Sequence, residues 1–254
     1  HHQPAITTCR RKPAPQHPRG RPEVLTRLVR RLSAVLLAPC CLVCAEPGHR
    51  GLDLCIACRD ALPWNVDACR QCGLSLTGPG SLCGQCQFSP PPYTLTQAAF
   101  RYAFPVDRLL PRFKFHGDLA AGAVLASLMQ WSLDPGEHPE ALIPVPLHRS
   151  RLRQRGYDQA LELAKALSRE CRLPLCPDRL IRVRATQAQT ELGADDRQSN
   201  VSQAFGLRGR GPLPRHVALI DDVMTTGATV GECARTLLAG GVQRVDIWTI
   251  ARAL

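Results

Sequence analysis

Apolar and polar positions fall into two regimes along this chain, and the change between them divides it. Up to residue 88 a Pro-, Arg- and His-rich stretch, one short basic amphipathic segment and a Cys-rich run follow one another. Beyond the stiff Ser89–Pro92 segment, strand-like and helix-like patterns alternate. Gln97–Phe104 reads as a strand. Val106–Phe115 and Leu119–Leu133 read as helices, with Asp134-Pro135-Gly136 as the stop. Ala141–Val145 reads as a short buried strand. Tyr157, Ala160, Leu161, Ala164 and Leu167 follow helical spacing, which predicts an amphipathic helix over Gly156–Cys171. Leu180–Val183, His216–Val223 and Arg244–Ala251 read as strands, and Thr229–Leu238 as a helix. Thr186–Val201 is polar and reads as a mobile loop or hairpin. This alternation predicts an α/β fold, a parallel sheet with helices on its faces.

Composition and charge add an organisation of three parts. Residues 1–38 carry 8 Lys/Arg against 1 Asp/Glu, most of the formal net charge of +11. The first 24 residues are rich in Pro, Arg and His and read as disordered, and residues 25–38 as a short basic amphipathic helix. A basic tail is a solvated segment or an attractor of nucleic acid or an anionic surface. The expected domains are thus a partly disordered basic tail over 1–38, a Cys-rich module over 39–88 and an α/β domain over 94–254. Leu25–Ala38 is interrupted by Arg27, Arg30 and Arg31, so it is not read as a secretory signal. No apolar run reaches the roughly 18 residues of a membrane span. The expected location is therefore the cytoplasm.

The Cys-rich module has an internal repeat. Cys41/Cys44, Cys55/Cys58, Cys69/Cys72 and Cys83/Cys86 are four C-x-x-C pairs with equal spacing between successive pairs. Each pair presents two thiolates to one metal, and two pairs complete a tetrahedral Cys₄ site. Two structural zinc ions are expected. Equal short gaps favour sequential pairing but leave a cross-brace open. Cys40 is an alternative ligand to Cys41, though the C-x-x-C register favours Cys41. Cys171, Cys176 and Cys233 read as small apolar residues.

The second motif is Ile220-Asp221-Asp222-Val223-Met224-Thr225-Thr226-Gly227-Ala228-Thr229-Val230. The apolar strand Val217–Ile220 runs into two carboxylates and then into small and hydroxylated residues at a helix start. Ligands of open α/β sheets bind off the carboxyl ends of strands. A helix start of this composition exposes N–H groups to an anion. A capping Thr229 would be the ordinary structural use of such a joint. Two adjacent carboxylates beside a phosphate cradle instead suit a ligand whose phosphate neighbours hydroxyls or a metal, as in a ribose 5-phosphate.

This motif resembles the 5-phosphoribosyl-1-pyrophosphate (PRPP) signature of type I phosphoribosyltransferases. Leu142–Ala164, Val183–Phe205 and the paired cysteines extend the resemblance to the competence protein F family, over about Leu32–Leu254. The resemblance implies a type I phosphoribosyltransferase fold behind a small double zinc ribbon. It implies that Asp221 and Asp222 bind the ribose hydroxyls, directly or through Mg²⁺, and that Thr225, Thr226, Gly227, Ala228 and Thr229, following Val223 and Met224, hold the 5-phosphate. Leu147, His148 and Arg149 would contact the pyrophosphate. Residues around Gln189–Arg197 would form the flexible loop over the reaction centre. Some of Arg149, Arg151, Arg153 and Arg155 could stabilise the leaving pyrophosphate, and a solvated basic edge accounts for at least two of the four.

One departure bears on function. Purine-salvage relatives often carry a base-assisting carboxylate where this chain has Thr225. Two functions follow. One is phosphoribosyl transfer from PRPP to an unidentified acceptor. The other is a non-catalytic PRPP-sensing or single-stranded-DNA-binding accessory protein, acting with a DNA-uptake or helicase partner. Both fit a role in the uptake of external DNA.

Overall fold

The computed structural model describes residues 39–253, apart from 79, 135, 137, 184–203 and 210. The basic tail over 1–38 and the loop containing Gln189 and Arg197 lie outside the described residues. The described residues up to Ala61 form one compact unit, and those from Leu62 onward form another.

Among the described residues the first unit holds one short helix, α1 (Ile56–Asp60). Cys55 caps it, its sulfur accepting from Cys58 N–H. In the second unit, α2 (Gly84–Phe88) is followed by β1 (Leu95–Arg101), α3 (Val106–His116), α4 (Leu119–Ser132) and β2 (Ala141–Pro144). Then come α5 (Arg149–Arg155), α6 (Gln159–Cys171), β3 (Leu180–Arg182), β4 (Phe205–Leu207), β5 (His216–Met224), α7 (Ala228–Ala239) and β6 (Arg244–Arg252). The main sheet has the order β1-β6-β5-β2, with every pairing parallel. β3 and β4 form a separate antiparallel pair.

The sheet is apolar on both faces because helices cover both. Ile143, Val217, Leu219, Val245 and Ile247 share a core with Val230, Cys233, Ala234 and Leu237 of α7. The intervening Leu142, Ala218, Ile220 and Trp248 point to the opposite face by the two-residue strand period and are equally buried. Strands buried on both sides read as continuous apolar runs, which is what Val217–Ile220 is. Both expected parts of the architecture are present, the parallel sheet flanked by helices and the module of two four-Cys clusters.

Boundaries differ from the sequence expectation where tertiary pairing sets them. β1 runs Leu95–Arg101 rather than Gln97–Phe104, because its partner β6 ends where Arg101 faces Arg252. The expected helix over Gly156–Cys171 begins only at Gln159. The arginine-rich stretch before it is a separate helix, α5, capped by His148 and stopped by Gly156 at φ 79°. The three-residue β4 has too short a pattern to read alone, and pairing with β3 creates it.

Asp118 holds the joint between α3 and α4. It caps α4 by accepting from Ala121 N–H at 3.0 Å, and it pairs with Arg112 at 2.7 Å. The backbone hydrogen bond, with Arg112, holds its carboxyl below the usual range despite the opposing effect of burial. Asp118→Ala is expected to cost about 1 kcal/mol by lost capping, read as a lower urea midpoint. A carboxyl depressed by folding stabilises the folded state above its ordinary pKa. That contribution disappears as pH falls through the folded value, so the gap between wild type and variant should close in acid.

Candidate functional site

The eight paired cysteines gather into two clusters, Cys41, Cys44, Cys55 and Cys58 in the first unit and Cys69, Cys72, Cys83 and Cys86 in the second. Within each cluster the sulfurs lie within 4.8 Å of one another. Cys44 and Cys55 sulfurs are 3.6 Å apart, as are those of Cys72 and Cys83. A disulfide would need about 2.05 Å. Tetrahedral thiolates at Zn–S distances of about 2.3 Å stand roughly 3.8 Å apart, so the donor set fits zinc. Pairing is sequential, not cross-braced. Cys40 stands outside the first cluster, its thiol directed to the Ala45 carbonyl at 3.1 Å. Four protein ligands leave no open position, so both sites are structural.

The second site is a cavity of about 620 Å³ at the carboxyl ends of β2 and β5. Its floor is the end of β5. Asp221 N–H-to-carboxylate chains are local: Asp221 Oδ1 accepts from Asp222 N–H at 2.9 Å, and Asp222 Oδ1 from Val223 N–H at 2.8 Å. Buried Thr249 of β6 donates its hydroxyl to the Asp222 carbonyl at 3.1 Å, fixing the strand end from beside. Asp222 Oδ2 is shut off from water and accepts no hydrogen bond. Lys114 Nζ lies 2.8 Å from it, an ion pair off the hydrogen-bonding angle. Loss of water, then the charge of Asp222, push the Asp221 carboxyl well above the usual carboxylate range.

Beyond the acid pair the chain turns through Met224–Gly227 into α7. Gly227 caps α7 at φ 78°. A Cβ there would meet Met224 Cε at 2.9 Å and Tyr93 Oη at 3.0 Å. The cap is therefore Gly227, and the ordinary structural use of this joint, a capping Thr229, is not what the chain makes: Thr229 lies inside the first turn. Asp221, Asp222, Val223, Met224, Thr225, Gly227, Ala228 and Thr229 all border the cavity. Thr226 is exposed, its hydroxyl accepting from Ala228 N–H at 3.4 Å.

On the opposite wall, Leu147 borders the cavity, whereas His148 caps α5 and Arg149 begins it in solvent. Arg151 and Arg155, one helical turn apart, face the cavity, while Arg153 is exposed. Arg182 of β3 joins them. Burial, then the neighbouring Arg155, lower the Arg151 guanidinium from its ordinary value, and burial followed by Arg151 does the same to Arg182.

Sequence reasoning missed four contributors. Lys114 reads as an ordinary surface lysine of an amphipathic helix, yet reaches the acid pair. Asp158 lines the cavity while capping α6 through Leu161 N–H and accepting from Leu147 N–H, both at 3.1 Å. Burial raises its carboxyl. Buried Gln159 accepts from Arg155 at 3.2 Å and donates to the Lys114 carbonyl at 3.3 Å. Tyr102, half exposed, borders the rim. Only Asp158 carried a signal, as an N-cap Asp before an amphipathic run.

Comparison with known proteins bears on the zinc module and on the family. The double zinc ribbon domain matches residues 32–87. Competence protein F of Haemophilus influenzae is 38% identical over 160 residues, 60% of this chain and 70% of the relative. DNA utilization protein YhgH of Escherichia coli is 33% identical over 226 residues, 84% of this chain and 97% of the relative. Competence protein ComFC of Streptococcus pneumoniae is 27% identical over 157 residues, 61% and 67% of the two chains. Identical at a third of the aligned positions to a relative spanned almost end to end, and carrying the two four-Cys clusters that the ribbon match marks as structural zinc sites, this chain belongs to the competence protein F family.

Proposed function

We propose that the cavity binds PRPP with Mg²⁺, and that the protein serves the uptake or use of external DNA. The observation that carries the binding reading is the buried acid pair bordering the cavity directly ahead of the glycine-capped start of α7, with Asp222 Oδ2 held by an ion pair to Lys114 and by no hydrogen bond. The Lys114 ion pair offsets only part of the cost of burying that oxygen, and a ligand can take its place. Ribose hydroxyls or a Mg²⁺ ion fit such an oxygen. Mg²⁺, when bound, would neutralise the pyrophosphate and draw on Asp221 and Asp222 as hard oxygen donors.

The chain's own groups divide the remaining work. The loop of Thr225 and Gly227 and the first N–H groups of α7 would hold the 5-phosphate. Arg151, Arg155 and Arg182 would face the pyrophosphate, where negative charge accumulates if the C1 bond breaks. Lys114 would give up Asp222 as the ligand enters. Thr225 offers no carboxylate to an acceptor, which supports binding more directly than turnover. Among the described residues no helix is long and apolar enough to cross a membrane. The names of the relatives, competence protein F and DNA utilization protein, support the DNA role.

A thermal shift tests the binding reading. PRPP with Mg²⁺ at about 100 times its Kd should add about 2.7 kcal/mol to folding stability. In a protein of this size that raises the melting temperature by roughly 5–10 °C. An unchanged melting curve at saturating PRPP would sink the reading.

A further inference from the structure

Arg252, the last residue of β6, takes no part in the cavity's lining, yet its side chain joins the second zinc cluster to the phosphate loop. Its Nε donates to the carbonyl of Cys72, a cluster ligand, at 3.0 Å. Its Nη1 donates to the Met224 carbonyl at 3.3 Å and to the carbonyls of Thr225 and Ala253. One rigid guanidinium fork thus grips the knuckle of a zinc turn and two successive carbonyls of the loop.

Peptide planarity gives this grip a consequence. In a trans peptide the carbonyl of one residue and the N–H of the next point in opposite directions. Fixing the Met224 and Thr225 carbonyls on Arg252 therefore turns the N–H groups of Thr225 and Thr226 away from it. A second brace runs alongside. Tyr93, buried, stands with its hydroxyl against Gly227, and its carbonyl accepts from Gln71 at 3.4 Å. Gln71 lies between the ligands Cys69 and Cys72, and its own carbonyl accepts from Thr96 at 2.6 Å. Arg70 of the same turn accepts from Thr96 N–H at 2.8 Å. The Cys69–Cys72 turn is therefore bonded into the sheet edge and into the loop's support together.

We propose that Arg252 is a positioning residue that couples the second zinc cluster to the anion-binding loop, so that zinc held by Cys69, Cys72, Cys83 and Cys86 sets the affinity for a ribose 5-phosphate group. Zinc fixes the turn, the turn fixes the Cys72 carbonyl, and Arg252 carries that position to Met224 and Thr225. Loss or oxidation of that cluster would then lower ligand affinity without touching a ligand-contacting group. The coupling to ligand rests on the PRPP reading, while the coupling between cluster and loop does not.

The test uses the full zinc-loaded chain with Arg252→Ala, Arg252→Lys and Cys83→Ser. Zinc content, calorimetric binding of ribose 5-phosphate and of Mg²⁺-pyrophosphate, and amide exchange over 224–229 are measured for each. Arg252→Ala should keep both zinc ions, bind ribose 5-phosphate about 10-fold more weakly, as expected for coupling between sites, and leave pyrophosphate binding unchanged. Exchange over 224–229 should quicken in Arg252→Ala and in Cys83→Ser. Arg252→Lys, which keeps the charge but cannot span both partners, should behave as Arg252→Ala. If Cys83→Ser does not fold, the two Arg252 variants decide. Wild-type ribose 5-phosphate affinity in zinc-replete Arg252→Ala, or an equal loss of pyrophosphate binding, overturns the proposal. If the wild type binds neither probe, the PRPP reading fails. Exchange then judges the coupling, which unchanged rates over 224–229 would overturn.

Discussion

Asp221→Asn combined with Asp222→Asn is expected to weaken PRPP binding in the presence of Mg²⁺ by at least about 100-fold. Each hydrogen bond to a charged group contributes about 1.5–3 kcal/mol, and both carboxylates border the same cavity. The substitutions are nearly isosteric, so the strand end stays in register with Thr249 and Ala251 of β6. The variant should therefore fold while losing the PRPP-induced rise in melting temperature. Asp221→Asn alone should melt above the wild type. Burial and the Asp222 charge work against its carboxylate, and relieving such strain at a functional site commonly yields about 0.5–2 kcal/mol. A carboxyl pushed up to about 8 by folding costs the folded state most above that pH, and the cost falls away as pH drops from there towards the ordinary carboxylate value, so the advantage of Asn should shrink in mild acid. In a transformable host, the double variant should fail to support DNA uptake where the wild type does. Retained PRPP affinity in the double variant would remove the acid pair from the site.

Gly227→Val is the second large effect. Its φ of 78° is a conformation that β-branched residues avoid. The new Cβ would also press on Met224 Cε and Tyr93 Oη at about 3 Å. Backbone strain of about 1–3 kcal/mol and overpacking of about 1–3 kcal/mol together should lower the melting temperature by roughly 5–15 °C. Gly241→Val is the internal comparison. Gly241 has φ 99°, but nothing lies within 4 Å of its added Cβ, so that variant should show strain without the steric part. Anion binding should be lost only in Gly227→Val. Equal destabilisation in the two would show that crowding at the loop contributes nothing.

The acid pair with its following loop and the cysteine ligands were readable in sequence because their information is local. Val217–Ile220 is apolar at every position, and only a strand covered on both faces needs that. Gly227 marks the turn, and C-x-x-C spacing marks metal turns whatever surrounds them. The arginine run was readable only as charge. Its division into Arg151 and Arg155 facing the cavity and Arg149 and Arg153 facing water follows from α5 being a helix, a fact set by the caps His148 and Gly156. Lys114 and Gln159 were missed because each serves through a partner distant in sequence, and Asp158 because a helix cap does not reveal which cavity it borders. A lysine beside Phe113 gives no sign of the carboxylate it meets 108 positions later.

The sequence by itself determined the parallel α/β class, the eight metal ligands and the order of strand, acid pair, loop and helix, since backbone propensity and short-range spacing suffice for these. Tertiary structure decided the sequential pairing of the clusters, the ends of β1 and the members of the cavity wall. It also decided the junction at Arg252, where a guanidinium reaches a carbonyl 180 positions earlier in the chain. Those features depend on which strands lie side by side, and that choice is made by burying both faces of the sheet at once, a collective condition that no single segment carries.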